Sequence, residues 1–339
     1  MPLSEFTPAS PKISIITPSY NQGQYLEETI TSIIAQQYPN YELIIIDGGS
    51  RDNTLDVIRQ YESYIHYWVS EPDRGQSHAI QKGLAQATGE IINWINSDDI
   101  VAPGAFHHIA AEFDTARYDV ICGRCDYFLD KLSKLDLRGM RMGLGPTVGD
   151  TLAWLQINQP STFFKASILQ GLGIDEQFRY TMDVDLWYRY LLQNGQTRIL
   201  LSESLLTYFR LHNASKSVAE SAGFDRELWK VYYNVLYSTQ QAAVLLNFAG
   251  QAIPDFPHFV PTPYLVRVTQ DELRTFIRYV AWLGLHHYNE QSNYVAARQC
   301  LAIARRCGQP LSGTVIRQLL KHYLMPKTVF RWLSSRSLK

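Results

Sequence analysis

Four short apolar runs, each ending in a polar turn that hands over to a helix, constrain this chain more than any other feature. Lys12-Ile13-Ser14-Ile15-Ile16-Thr17 ends in Pro18-Ser19-Tyr20-Asn21. Tyr41-Glu42-Leu43-Ile44-Ile45-Ile46 ends in Asp47-Gly48-Gly49-Ser50, and Asp52-Asn53-Thr54 opens the helix behind it. Ile65-His66-Tyr67-Trp68-Val69 runs into Ser70-Glu71-Pro72-Asp73-Arg74-Gly75, ahead of a helix predicted over Gln76 to Ala87. Glu90-Ile91-Ile92-Asn93-Trp94-Ile95 ends in Asn96-Ser97-Asp98-Asp99. Strands alternating with helices through turns this short predict a parallel sheet covered on both faces. Such sheets bind their ligands outside the carboxyl ends of the strands. The polar groups of all four turns fall at those ends, so that rim is predicted to be a binding site.

Asp98 and Asp99 are the most telling part of it. Two adjacent carboxylates after a buried strand repel one another and are costly to desolvate. A divalent cation removes both objections, because hard oxygen ligands suit Mg2+ or Mn2+. Such an ion completes its shell with water and substrate phosphates, which points to a metal-bound diphosphate. Taken alone, such a pair is more often a solvated turn or a helix cap. Its company at the other strand ends gives the metal reading its weight.

The separated motifs Thr17-Pro18-Ser19-Tyr20-Asn21, Asp47-Gly48-Gly49-Ser50 with Asp52 and Thr54, and Asp98-Asp99 resemble glycosyltransferase family 2. Further on, Met182-Asp183-Val184-Asp185-Leu186-Trp187 is similar to the acidic segment carrying the family's catalytic base. Tyr208-Phe209-Arg210-Leu211-His212 with Ser215 and Ser217 resembles a later segment of its bacterial members. The likeness runs from about Lys12 to about Ser217 in the family's order. It implies an inverting, non-processive enzyme of the GT-A fold that moves a sugar from a nucleoside-diphosphate sugar to an acceptor hydroxyl. The implied setting is surface polysaccharide or glycolipid assembly, with a sugar or lipid-linked sugar as acceptor. In that scheme Asp183 is the base and Asp99 with Asp98 holds the Mn2+ or Mg2+. Thr17, Pro18, Ser19, Tyr20, Asn21, Asp47, Arg74 and Asp98 hold the nucleotide, Asp47 by accepting the nucleobase N–H. His212 either reaches the metal-diphosphate group or anchors a loop, and Asp185 is a cap or structural acid. The chain departs from the family at Met182, where a Glu is usual, and at Gln81, where Asn is common.

Three rival readings fit less well. A nucleotidyltransferase that builds nucleotide sugars wants a glycine-rich, basic loop after its first strand, and Thr17 to Asn21 lacks one. A dinucleotide-dependent dehydrogenase wants its glycine fingerprint at the same place. A non-catalytic sugar-nucleotide-binding protein would keep the sheet and lose the acids, and Asp47, Asp98, Asp99 and Asp183 are all present.

The organisation predicted is a leader over residues 1–11, a catalytic domain over 12–220 and a helical extension over 221–339. Leu129 to Val148 is basic and then glycine-rich, without a clear period, and reads as a mobile loop. From Asp225 the pattern turns helical, with Leu273, Phe276, Ile277 and Val280 at helical spacing. A net charge of -1 argues against nucleic-acid binding, which wants a basic face. Cys122 and Cys125 have redox-like spacing but read as structural or incidental within a strand, and Cys300 with Cys307 gives no second pair at zinc spacing. With no signal-peptide pattern in Met1 to Ser10 and no long apolar run, a cytoplasmic protein is expected. No acidic residue follows Glu290, where Val315, Leu319, Leu320, Tyr323 and Leu324 form an apolar stripe flanked by Arg317 and Lys321. That stripe either packs on the protein or touches the inner, anionic face of a membrane.

Overall fold

The computed structural model describes residues 10–129, 135–212, 220–319 and His322. By contacts the chain divides into two units, one of 1–144 with 155–231 and one of 145–154 with 232–339. The division thus falls within helix Ser221–Ser238, and not at residue 220. The segment 145–154, expected in the catalytic domain, goes with the helices.

The first unit is built on a mixed sheet, nine-stranded among the described residues. Its first four strands are β1 (Ile13–Ser19), β2 (Tyr41–Asp47), β3 (Tyr67–Ser70) and β4 (Ile91–Trp94). They pair in parallel in the order β3-β2-β1-β4. Helices α1 (Gly23–Ile34), α2 (Thr54–Gln60) and α3 (Gln76–Leu84) follow the first three strands. Beyond them come β5 (Ile100–Val101), α4 (Ala105–Glu112), β6 (Val120–Leu129) and β7 (Leu135–Met140). The sheet continues as β4-β8-β6-β9-β5, where β8 is Thr162–Lys165 and β9 is Ile199–Leu211, and β7 pairs with β6. β8 runs antiparallel to both β4 and β6, while β6 and β9 are parallel.

Both faces of β1 are buried along its whole length, which explains a run with no polar alternation. One face, with Ile13, Ile15, Leu43, Ile45 and Ile91, packs into a core with Leu26, Ile30 and Ile33 of α1 and Phe106 and Ile109 of α4. The other face lies against α3. There Gly83 lets the helix approach the sheet, since a Cβ on it would stand 2.3 Å from Ile16 Cγ2.

Leu135–Met140 corrects the expectation of a loop between Leu129 and Val148. It is a strand antiparallel to β6, and the glycine-rich part follows it. Gly139 is in the strand because β6 comes close: an added Cβ would meet the Cys125 carbonyl oxygen at 2.4 Å.

The second unit is helical. Its segment Val148–Ala153 (α5) opens with a capping box between Thr147 and Asp150. Helices Ala243–Gln251, Arg274–Glu290, Tyr294–Arg306 and Gly313–Leu319 complete it. Leu273, Phe276, Ile277 and Val280 are buried, as their spacing predicts. Among the described residues no helix is long and apolar enough to cross a membrane. Of the basic-apolar stripe only Val315, Arg317 and Leu319 fall among them; Leu320, Lys321, Tyr323 and Leu324 lie outside, as do Ser215 and Ser217.

Candidate active site

The turns after β1 and β2 are stitched to one another. Gly48 N–H donates to the Ser19 carbonyl at 2.9 Å, Asn21 N–H to Ser50 Oγ at 2.7 Å, and Arg51 N–H to Asn21 Oδ1 at 2.9 Å. Asn21 holds φ +51°, a left-handed conformation that Asn tolerates better than most residues. Asp52 accepts from Gly23 N–H and Thr54 N–H, each at 3.0 Å, and so ties the starts of α1 and α2 together. Burial works to raise its carboxyl, yet these bonds and that of the Thr54 hydroxyl hold it below the usual range.

Asp47 is wholly buried and its oxygens are taken. Oδ2 accepts Gly49 N–H at 3.1 Å, Ser50 N–H at 2.9 Å and Ser70 Oγ at 2.6 Å, and Oδ1 accepts the Ser50 hydroxyl. It closes its own turn. Asp73 stands over the neighbouring Gly48, its Oδ2 2.8 Å from where a Cβ would be. Asp73 Oδ1 receives Gly75 N–H at 2.7 Å.

Two hydroxyls on β1, Thr17 Oγ1 and Ser19 Oγ, are buried without a hydrogen-bond partner among the described residues. Buried polar atoms in a native fold are almost always paired, so two orphans on one strand next to a predicted rim call for a ligand. Tyr20, beside them, exposes 59% of its surface.

At the end of β4 the two acids part company. Asp99 is fully buried. Its Oδ1 accepts Arg210 N–H and its Oδ2 accepts Asn96 Nδ2, both at 3.1 Å. Desolvation first, and then the neighbouring Asp98 charge, push its carboxyl well above the ordinary range. Asp98 keeps part of its carboxylate open, with His212 Nε2 3.0 Å from its Oδ2. Arg210 organises the corner: Nε donates to the Asp98 carbonyl at 2.9 Å and Nη2 pairs with Glu28 at 2.6 Å. Its guanidinium lies over the rings of Tyr25 and Phe128, at 4.7 and 4.5 Å.

A divalent ion would find a carboxylate oxygen, the donor that Mn2+ or Mg2+ wants, with phosphate and water completing the shell, and beside it an imidazole nitrogen, which suits a transition ion such as Mn2+ better than Mg2+. Among the described residues no group of three His, Cys, Asp or Glu side chains is arranged to hold a metal, so a two-ligand site with open positions is what fits.

Helix α6 (Ala166–Leu172) follows β8, and Asp183 stands at the start of α7 (Met182–Asn194), half-buried, with Val184 N–H on its Oδ1 at 2.9 Å. Burial, aided by the Glu227 charge, pushes its carboxyl up to about 6 against that bond. Asp185 is fully buried and paired with Arg189 at 2.7 Å, whose guanidinium also reaches the Leu172 and Gly173 carbonyls. The turn before α7 is fastened to the start of α3. Ser77 Oγ donates to the Phe178 carbonyl, Arg74 pairs with Glu176, and Gln81 Oε1 accepts Ile174 N–H at 2.8 Å. Gln81 therefore makes a bond of its own at the position where Asn is common, and Met182 is buried. Arg74 stays exposed on that pair.

All four cysteines are free. Burial pushes the thiols of Cys122, Cys125 and Cys300 up to about 12, so they stay protonated and unreactive at neutral pH.

Sequence patterns missed Arg210 as the hub of the corner, although it sits in a motif already singled out. They missed Asn96 and Gln76 too, which bond to each other at 2.7 Å behind Asp99.

The family model described as glycosyl transferase family 2 matches residues 14–166. An uncharacterized glycosyltransferase of Nostoc sp. is 35% identical over 230 residues, covering 64% of this chain and 70% of that one. The chain belongs to glycosyltransferase family 2. An uncharacterized glycosyltransferase of Rickettsia typhi is 29% identical over 217 residues, 60% of this chain and 65% of that protein's length. The chain thus spans a little under two thirds of that relative. A putative teichuronic acid biosynthesis glycosyltransferase, TuaG of Bacillus subtilis, is 40% identical over 92 residues, 26% of this chain and 36% of TuaG. Among solved structures, S. aureus TarS 1-349 in complex with UDP-GlcNAc superimposes with a TM-score of 0.56. It is 17% identical and covers 89% of this chain and 93% of that one. The fold is GT-A.

Proposed function

We propose that the protein is an inverting glycosyltransferase that moves a sugar from a nucleoside-diphosphate sugar to an acceptor hydroxyl. The observation that carries this reading is the Asp98–His212 pair, backed by the buried Asp99 and Arg210 at the carboxyl ends of β4 and β9. Asp98 and His212 would hold the divalent ion, which when bound supplies Lewis-acid stabilisation for the charge of the departing diphosphate. Asp99, first named as a ligand, is given the supporting role its burial favours.

Thr17 and Ser19 offer orphaned hydroxyls to the donor nucleotide, and exposed Tyr20 offers a ring face to its base. Pro18 and Asn21 shape that turn. With Asp47 spent on its own turn, Asp73 is the carboxylate left to accept the nucleobase N–H. Arg74 joins the diphosphate by leaving Glu176, since an exposed pair of this kind is worth only about 0–1 kcal/mol.

Asp183 takes the acceptor's proton as its oxygen attacks, and its carboxyl near 6 is a useful base at neutral pH. Asp185 serves structure through Arg189. The likeness to TuaG supports a place in surface polysaccharide assembly. Basic residues after Glu290 support reversible contact with an anionic membrane, where lipid-linked acceptors reside.

Inversion is testable without knowing the acceptor, because water slowly takes the acceptor's place. With UDP-GlcNAc, an α-linked donor, and Mn2+, the first sugar released is expected to be the β anomer in proton NMR. Release of the α anomer first contradicts an inverting reaction.

A further inference from the structure

Helix Ser221–Ser238 lies outside every motif of the sequence, yet its first half meets the turn that leads into α7. A Cβ on Gly223 would stand 2.6 Å from the Tyr180 ring, and Phe224 packs on that ring with centroids 5.4 Å apart. One turn further on, the buried Glu227 collects three successive backbone amides. Arg179 N–H donates to its Oε1 at 2.9 Å, and Tyr180 and Thr181 N–H donate to its Oε2 at 2.7 and 3.0 Å. The Thr181 hydroxyl adds a fourth bond at 3.2 Å. Consecutive N–H groups converging in this way form a concave anion site, filled here from within the chain. Hydrogen bonds to a charged acceptor are roughly twice as strong as neutral ones, so the turn is held rigidly. Thr181 is the residue immediately before α7, at its N-cap, and Asp183 follows two positions on.

We infer that Glu227 is a positioning residue of the catalytic centre, which fixes the Arg179–Thr181 turn and thereby sets where Asp183 stands at the head of α7. This rests on Asp183 being the base. The other acids nearby are occupied elsewhere: Asp185 by Arg189, and Glu220 by the Tyr180 hydroxyl and Arg179. The Glu227 charge also adds to burial in raising the Asp183 carboxyl.

The test is a carboxyl-carbon NMR titration of Asp183 in the full chain, its resonance assigned by its loss in Asp183→Asn. The wild-type midpoint is expected near 6. In Glu227→Gln it falls measurably below the wild-type value, the direction that removal of a nearby like charge gives. Glu220→Gln leaves it in place, and UDP affinity in the presence of Mn2+ is unchanged in both variants. A folded Glu227→Gln protein with a wild-type midpoint overturns the inference. Should that variant fail to fold, wild-type amide exchange decides. Strong protection at Arg179, Tyr180 and Thr181 supports the clamp, and exchange at free-loop rates overturns it. Failure of the base reading is seen separately, as full transfer activity in Asp183→Asn while the Asp183 midpoint in the chain that keeps Asp183 still shifts on Glu227→Gln.

Discussion

Asp183 and Asp185 stand two residues apart at the head of α7, and their surroundings give them different chemistry. Asp185 spends its carboxylate on Arg189 inside the fold. Asp183 remains half-open with its carboxyl raised to about 6. A base acts only when ionised, so activity is expected to rise with pH through about 6 and level off above it, read as the acid limb of kcat/KM. Asp183→Asn keeps the shape and removes proton acceptance; transfer is expected to fall by roughly 10²–10⁴-fold while nucleotide binding persists. The sign for stability is opposite. The folded-state value lies above the unfolded one, so ionising Asp183 costs the fold stability that is intact below the unfolded value and lost as pH rises towards 6. Asp183→Asn is therefore expected to melt no lower than wild type at pH 7.5. A variant that is both inactive and much less stable would speak against this account.

Among the elements, the close contact of α3 with β1 rests on Gly83. Gly83→Ala would press a methyl group into Ile16, with an expected loss of about 1–3 kcal/mol in urea unfolding. An unchanged midpoint would show that the helix can back away freely. The first four strands were legible in sequence because each run is closed by a polar turn, and β1, β2 and β4 are continuous apolar runs buried on both faces, while β3 at the sheet edge is only partly buried. Strand β7 was not, because its Leu135-Asp136-Leu137-Arg138 alternation is short and flanked by basic residues and glycines that also suit a loop. The candidate site was legible as residues, from Thr17 to Asp183, but not as partnerships. Nothing in the Asp98-Asp99 dipeptide says which carboxylate faces inward, since that depends on Arg210 and His212, more than a hundred residues away. Glu227 left no signal at all, because a surface-like Glu on a helix looks the same whether it is solvated or buried against three amides.

For the molecule as a whole, the charge after Glu290 is one-sided: basic residues and no acids. Each such side chain near an anionic leaflet contributes about 1 kcal/mol, so several together hold a protein reversibly. Co-sedimentation with phosphatidylserine vesicles is expected at low salt, weaker at high salt and lost on deleting residues 313–339; no sedimentation at low salt removes the membrane from the account. The central claim is a nucleotide-sugar site completed by a divalent ion on Asp98 and His212. Calorimetric titration of UDP-GlcNAc, with Mn2+ and with EDTA, tests it most directly. The account predicts binding with Mn2+ that is sharply weakened by EDTA, and equally weak binding in Asp98→Ala whether or not Mn2+ is present. Equal affinity of the wild-type protein with and without the metal would contradict it.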